Sequence, residues 1–271
     1  MDYVAWFHRE VAAVEAAARS VTGTAPEVPS CPGWSVSDLL VHLGGVHRGL
    51  AGIIEGRLTE PPGHTDLSVL ALPADTEGWP RPESAPNLAP LPDGLVTWFA
   101  EGAAALESLF AATDPGLRVW TWSQEQTVGF WVRMQAIEAA VHRWDAQNAL
   151  GAAEPVGPEL AADAVEQTFT VMAPARRAWR QAPPGEGERY AFRSTDGSTD
   201  GSTDGSGRWL VRFDGDEVLL SGHPDVSADV EVAGTASDLM LFLWGRVPAD
   251  RLQVTGDSSL LDRYFTLVPP V

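Results

Sequence analysis

Apolar residues recur at helical spacing up to about residue 180 of this 271-residue chain, then give way to short alternating runs after "APPGEGE" (182–188). A helix-period pattern does not settle into a sheet, nor a strand-period pattern into a bundle, so the switch calls for two differently built parts. The first part reads as four or five helices. "VAWFHREVAAVEAAARSV" (4–21) is alanine-rich and amphipathic. "SVSDLLVHLGGVHRGLAGIIEGR" (35–57) carries one apolar stripe of Leu39, Leu43, Val46, Leu50 and Ile53. Ser35 followed three residues later by Asp38 has the form of a capping box, with aspartate in place of the usual glutamate. Helical spacing returns at 93–113, again at 125–151 where Gly151 closes the segment, and from Pro158 to about Trp179. Helices of this length predict an up-down bundle, whose core can hold a metal between facing helices. Residues 59–93 are proline-rich and without periodicity, a connection of a length that often covers a functional site.

Beyond the switch, "RYAFRS", "RWLVRF", "EVLLSG" and "ADVEVAG" read as strands, with a hairpin turn at Asp214–Gly215. "TASDLMLFLWGR" reads as a helix capped by Thr235 and Asp238, followed by strand "RLQVTG" and helix "SSLLDRYFTL". The predicted organisation is therefore a helical bundle over 1–183 and a small mixed α+β domain over 186–271. Within the latter, "STDGSTDGSTDGSG" (194–207) repeats a four-residue unit. It lacks the spacing and bidentate glutamate of a calcium loop and is read as a flexible, expandable hairpin loop.

The charge excludes several roles. A formal net charge of -19 opposes sequence-independent nucleic-acid binding and attraction to anionic membranes. No apolar run approaches the roughly 18 residues of a membrane span, and the N-terminus lacks signal-peptide organisation, so a cytoplasmic protein is expected. All 18 basic residues are arginine, which removes lysine Schiff-base and lysine general-base chemistry. The single cysteine, Cys31, excludes an internal disulfide and a cysteine-rich zinc site. In "VPSCPGW" it reads as a loop residue before a helix, with a nucleophile as the other reading.

The stretch that carries chemistry is "EAAVHRWDAQ" (138–147). Glu138 and His142 lie about 40° apart on a helical wheel, on a face shared with Met134, Val141 and Asp145. A carboxylate among apolar neighbours must be compensated, by a hydrogen-bonded partner or by a cation. Imidazole plus carboxylate suits zinc and similar divalent first-row metals. A third ligand must come from elsewhere among His8, His42, His47, His64 and His223. His42 and His47 share one helix about 140° apart, so one straight helix does not aim both at a single ion. The wheel does not choose between them.

"VPSCPGWSVSDLLVHLGGVHR" resembles the opening signature of the DinB-like, mycothiol-dependent maleylpyruvate isomerase family, in which a Pro-Gly-Trp-Ser/Thr turn leads into a D-L-x-x-H-L helix. "FWVRMQAIEAAVHRWDAQNALG" is similar to that family's E-x-x-x-H-R-x-D motif, and "LFLWGRVPADRLQVTGDSSLL" to the motif of its C-terminal domain. The three fall in family order along nearly the whole chain. The resemblance implies a DinB-like bundle followed by the α+β domain, and a metal, usually zinc, on His42, Glu138 and His142 with one open position. His47 is then a core or surface histidine. Asp145 either orients His142 or pairs with Arg143 or another helix. Arg246 matches an arginine that in relatives faces the site and could grip a substrate carboxylate; its other reading is a helix-end arginine on the last carbonyls. Trp34 and Trp131 are expected to pack the bundle.

The resemblance further implies mycothiol as thiol cosubstrate and a small-molecule electrophile, in a monomer or homodimer. Adding the thiol to an activated cis double bond, allowing rotation and expelling it would make an isomerase; stopping at the thioether would make a transferase. Two alternatives remain at this point: a thiol-independent metal hydrolase or cyclase of a natural-product pathway, and a non-catalytic small-molecule binding protein with a structural metal.

Overall fold

The computed structural model describes residues 1–63, 67–197, 207–221 and 227–270. The chain forms two compact units, Met1–Glu154 and Pro155–Val271. In the first, α1 (Tyr3–Arg19), α2 (Val36–Glu55), α3 (Leu95–Ala112) and α4 (Val128–Ala149) form the bundle. Helix α1 packs on α3 and α4, and α2 packs on the same two. The division lies well upstream of the boundary expected near residue 185. The fifth helical segment packs on elements of the second unit, and spacing alone does not say which core an apolar face joins.

Helix α2 starts where its sequence says it should. Ser35 accepts from the Asp38 backbone while the Asp38 carboxylate accepts from the Ser35 backbone at 2.9 Å, which completes the capping box. The same carboxylate also accepts from the backbone and side-chain nitrogens of Asn87, tying the proline-rich connection to the head of α2. Close approach of α2 and α3 requires Gly44, because a Cβ there would fall 2.2 Å from the Trp98 ring.

Helix α3 corrects one sequence expectation. Over its 18 residues it is long and apolar enough to cross a membrane by length and composition. Glu101 and Glu107 interrupt it, so a search for uninterrupted apolar runs passes it over, while its alanines raise the average. In the structure it presents Trp98, Phe99, Leu106 and Phe110 to the bundle core.

Helix α4 is the most buried of the four and carries charge inward. Arg143 and Glu10 of α1 are each about 95% buried and meet at 2.8 Å, and Arg143 also donates to Gln147 Oε1 and the Glu154 carbonyl. His47 of α2 is fully buried between Phe7 and Phe99, and neither ring nitrogen has a hydrogen-bond partner among the described residues. Burial drives its pKa from the ordinary 6.5 down to about 3.

In the second unit, α5 (Pro158–Gln167) runs through a π turn (Thr168–Met172) into α6 (Ala173–Arg180). Pro174, at the head of α6, has no N–H to offer the carbonyl four residues back, which disrupts the regular ladder there. Strands β1 (Gly185–Ser194), β2 (Arg208–Gly215), β3 (Glu217–Ser221), β4 (Val230–Gly234) and β5 (Gln253–Gly256) form one mixed sheet in the order β3-β2-β1-β4-β5. All pairs are antiparallel except β1 with β4, whose connection runs through β2 and β3. The two-residue hairpin loop is Gly215–Asp216, one position later than expected, with Gly215 at φ 58°. Tyr190, Phe192 and Phe213 meet Tyr264 of α8 (Leu260–Leu267) edge to face. Helix α7 (Ala236–Leu243) closes with a Schellman motif: Gly245 donates to Phe242 and Arg246 to Leu241, with Gly245 at φ 72°. Most of the four-residue repeat lies outside the described residues.

Two stability outcomes follow. Glu10→Ala leaves Arg143 as a buried cation without its carboxylate and should destabilise the first unit by about 3–5 kcal/mol in urea unfolding. The paired replacement Glu10→Leu with Arg143→Met should lose much less. For His47, the folded imidazole stays neutral down to about pH 3 while the unfolded one takes a proton below 6.5. Its contribution is therefore intact above 6.5 and is lost as pH falls, at up to about 1.4 kcal/mol per pH unit. His47→Leu should flatten the acid limb of the stability profile by that slope; unchanged slopes would refute it.

Candidate metal centre

Three side chains from two helices converge. His42 of α2 places Nε2 3.3 Å from Oε1 of Glu138 on α4, and the rings of His42 and His142 stand 5.3 Å apart at 75°. One donor atom from each of His42, Glu138 and His142 lies within 4.8 Å of the other two. Glu138 and His142 share a face because they are four residues apart, and α2 brings His42 across from them. Gln135, one turn before Glu138, donates to its other oxygen at 2.6 Å.

Glu138 is ionised in this setting. Burial alone would raise its carboxyl, but the hydrogen bond from His42, the charges of His42 and His142 and the Gln135 amide hold it down at about 2. An anionic oxygen thus faces two imidazoles inside the bundle.

His142 is fixed from behind. Its Nδ1 lies 2.9 Å from Oδ2 of the fully buried Asp145. As a carboxylate Asp145 accepts, so Nδ1 is the donor, and Nε2 is the nitrogen left to bear the lone pair whenever the ring is neutral. Ser30 donates to Asp145 Oδ1 at 2.6 Å, and Cys31 Sγ lies 3.4 Å from Oδ2. Both come from the turn before α2, closed by Val28 N–H to the Trp34 carbonyl at 2.8 Å and bent at Gly33 with φ 84°. Cys31, His142 and Asp145 consequently form a second set of donor atoms within 4.8 Å, sharing His142 with the first. The Trp34 ring leans on His42 at 5.0 Å, and a cleft of about 240 Å³ opens beside them.

The expected residues fall as follows. His42, Glu138, His142 and Asp145 come together. Asp145 meets His142 and Ser30, and Arg143 meets Glu10. Arg246 lies in the second unit just past α7, where its Nη1 donates to the Trp244 carbonyl at 2.9 Å. His8 pairs with Glu107 at the surface, and His47 belongs to the core. His64 and His223 lie outside the described residues. Trp131 packs as expected, donating to the Trp120 carbonyl, whereas half-buried Trp34 walls the cleft. Sequence reasoning missed Gln135 and Ser30, and it gave Cys31 no contact with the site. Gln135 stands one turn from Glu138 and could have been found on the wheel. Nothing local signals that the turn at 28–34 reaches Asp145, more than a hundred residues away.

Comparison with known proteins places this geometry in a family context. The family model described as "Mycothiol maleylpyruvate isomerase N-terminal domain" matches residues 7–147, and "MDMPI C-terminal domain" matches 159–263. Among solved structures, the chain resembles mycothiol-dependent maleylpyruvate isomerase at TM-score 0.57 and 15% identity, covering 94% of this chain and 92% of that one. A histidine-to-alanine mutant of mycothiol-dependent maleylpyruvate isomerase gives TM-score 0.58 and 16% identity over the same shares. At these identities the likeness shows a shared fold. No curated protein matches the chain.

Proposed function

The chain belongs to the mycothiol maleylpyruvate isomerase family, and from that premise we propose that it is a metal- and mycothiol-dependent enzyme acting on a small electrophile, by S-transfer or by cis–trans isomerisation. The observation that carries this reading is the convergence of His42, Glu138 and His142 within 4.8 Å. Two imidazole nitrogens and one ionised carboxylate oxygen fit zinc or a similar divalent ion by donor chemistry, and three protein ligands leave an open position. When bound there, such an ion lowers the pKa of a thiol or water in that position, supplying a nucleophile near neutral pH.

The chain's own residues prepare the site. Asp145 keeps the proton on His142 Nδ1 and so presents Nε2 as a ligand. Gln135 holds Glu138 Oε2, which leaves Oε1 on the His42 side. Ser30 fixes the other oxygen of Asp145, so the imidazole cannot turn without breaking a chain of hydrogen bonds. Trp34 shields one side of His42 from water. A cytoplasmic location suits this reading, since low-molecular-weight thiols stay reduced there. Isomerase and transferase would draw on the same three ligands.

Elemental analysis of untagged protein should find about one zinc or similar ion per chain, lost in both Glu138→Ala and His142→Ala. A wild type that stays metal-free after reconstitution would overturn the proposal, and turnover independent of mycothiol would move it to a hydrolase or cyclase. Asp145→Asn should weaken zinc binding about 10- to 100-fold in a chelator competition while the helical circular dichroism is kept. Unchanged affinity would remove Asp145 from the positioning role.

A further inference from the structure

The ring of His142 belongs to two groups of donor atoms. One is the set with His42 and Glu138; the other joins it to Asp145 of α4 and Cys31 of the turn before α2. Oδ2 of Asp145 lies 2.9 Å from Nδ1 of His142 and 3.4 Å from Sγ of Cys31. One donor atom from each of the three lies within 4.8 Å of the other two. A tetrahedral ion, with bonds of about 2.3 Å to sulfur and about 2.0 Å to nitrogen and oxygen, has a sulfur–oxygen edge of about 3.5 Å and a nitrogen–oxygen edge of about 3.3 Å. Both observed contacts fall slightly short of those edges, so an ion would have to spread the group only a little. The backbone presents the sulfur: Cys31 donates its N–H to the Val28 carbonyl at 2.9 Å and accepts from Trp34 at 3.0 Å. Asp145 and His142 are buried, whereas Cys31 is half-buried and gives the group an edge toward solvent.

We infer that Cys31, Asp145 and His142 form a second metal position, one for a thiophilic divalent ion such as cadmium, and that filling it opposes filling the His42, Glu138 and His142 set. Thiolate and carboxylate together match the charge of a divalent ion, and the sulfur favours soft ions over borderline zinc. Binding breaks the Cys31 S–H bond and forms a sulfur–metal bond, and the thiol proton passes to solvent. The proton on His142 Nδ1 must also leave. With the first set empty it can reappear on Nε2, which is a change of tautomer. With an ion already on Nε2, the ring has to give up its last proton, so the two positions compete. The second ion also takes His142 away from the carboxylate that orients it, which costs affinity at the first set. The second position stands on its own geometry; only the opposition between the two rests on the metal reading above.

The test is a cadmium titration of the full chain stripped of metal, followed by the ultraviolet thiolate-to-cadmium charge-transfer band. Cys31 is the single cysteine, so the band reports on this position alone. Wild type should develop it up to about one ion per chain, and Cys31→Ser should not develop it. His42→Ala removes a donor that only the first set uses and should keep the band. Asp145→Asn and His142→Ala should each weaken the binding behind it by about tenfold or more, with circular dichroism confirming that both remain helical. Cadmium should release zinc from zinc-loaded wild type at a concentration about tenfold lower than from zinc-loaded Cys31→Ser. No band in wild type, or a band of unchanged affinity in both Asp145→Asn and His142→Ala, would overturn the second position, the latter by showing a cysteine that binds alone. Equal cadmium sensitivity of the two zinc-loaded proteins would overturn the opposition. A wild type that takes cadmium at Cys31 but no zinc at the first set fails the enzyme reading and upholds the second position.

Discussion

A carboxylate held ionised inside a helix bundle must be answered by groups that favour its charge, and in this molecule Glu138 sets that requirement. An uncompensated charge at such a depth costs several kcal/mol, a large share of what a small domain has to spend. The answer comes from three directions: Gln135 one turn earlier, His142 one turn later, and His42 across the interface with α2. The first two are local to α4. The third obliges α2 to lie against α4, with its register set so that His42, not His47, reaches the carboxylate. His47 is displaced into the apolar core and held neutral there, the reverse electrostatic outcome on the same helix.

What positions these groups is found at helix starts and turns more than in helix middles. The Asp38 carboxylate caps α2 and also holds Asn87, so one side chain fixes both where α2 begins and where the proline-rich connection lies. The turn from Val28 to Trp34 sends Ser30 to Asp145, and Asp145 in turn fixes the tautomer of His142. A second consequence follows for Cys31. Its thiol is placed as a hydrogen-bond donor to the buried Asp145 carboxylate.

Most of the fold was legible because its two periods are unambiguous. The helices, the five strands and the Ser35–Asp38 cap follow from spacing and capping chemistry read locally. The unit boundary did not, because α5 has the same period as the bundle helices and nothing in a period names the partner that buries its face. The π turn before Pro174 was equally hidden, since proline announces a disturbance but not its form. At the site, the Glu138–His142 pair came from a wheel, while the choice of His42 over His47 came from resemblance and needed three dimensions to be seen. Arg143 shows the same limit: its contact with Glu10 spans more than a hundred residues and no local pattern announces it.

The separation between what activates and what selects is the last step. Under the proposed function, an ion held by two imidazoles and a carboxylate would activate any thiol or water that reached it, so the ligand set itself would be indifferent to the electrophile. Discrimination has to come from walls, and here the walls have two origins. Trp34 and Val41 belong to the turn and helix that also build the site, so changing them disturbs the ligands. Pro82 and Ala85 belong to a connection joined to α2 through Asp38 and Asn87, and they bury little of their own surface. Substitutions there can alter the size or polarity of the cleft at small cost to the bundle core, since the rim residues are exposed and the core residues are not. Under the proposed function, a scaffold built this way would keep its three candidate ligands while the rim alone changed the size and polarity of the cleft.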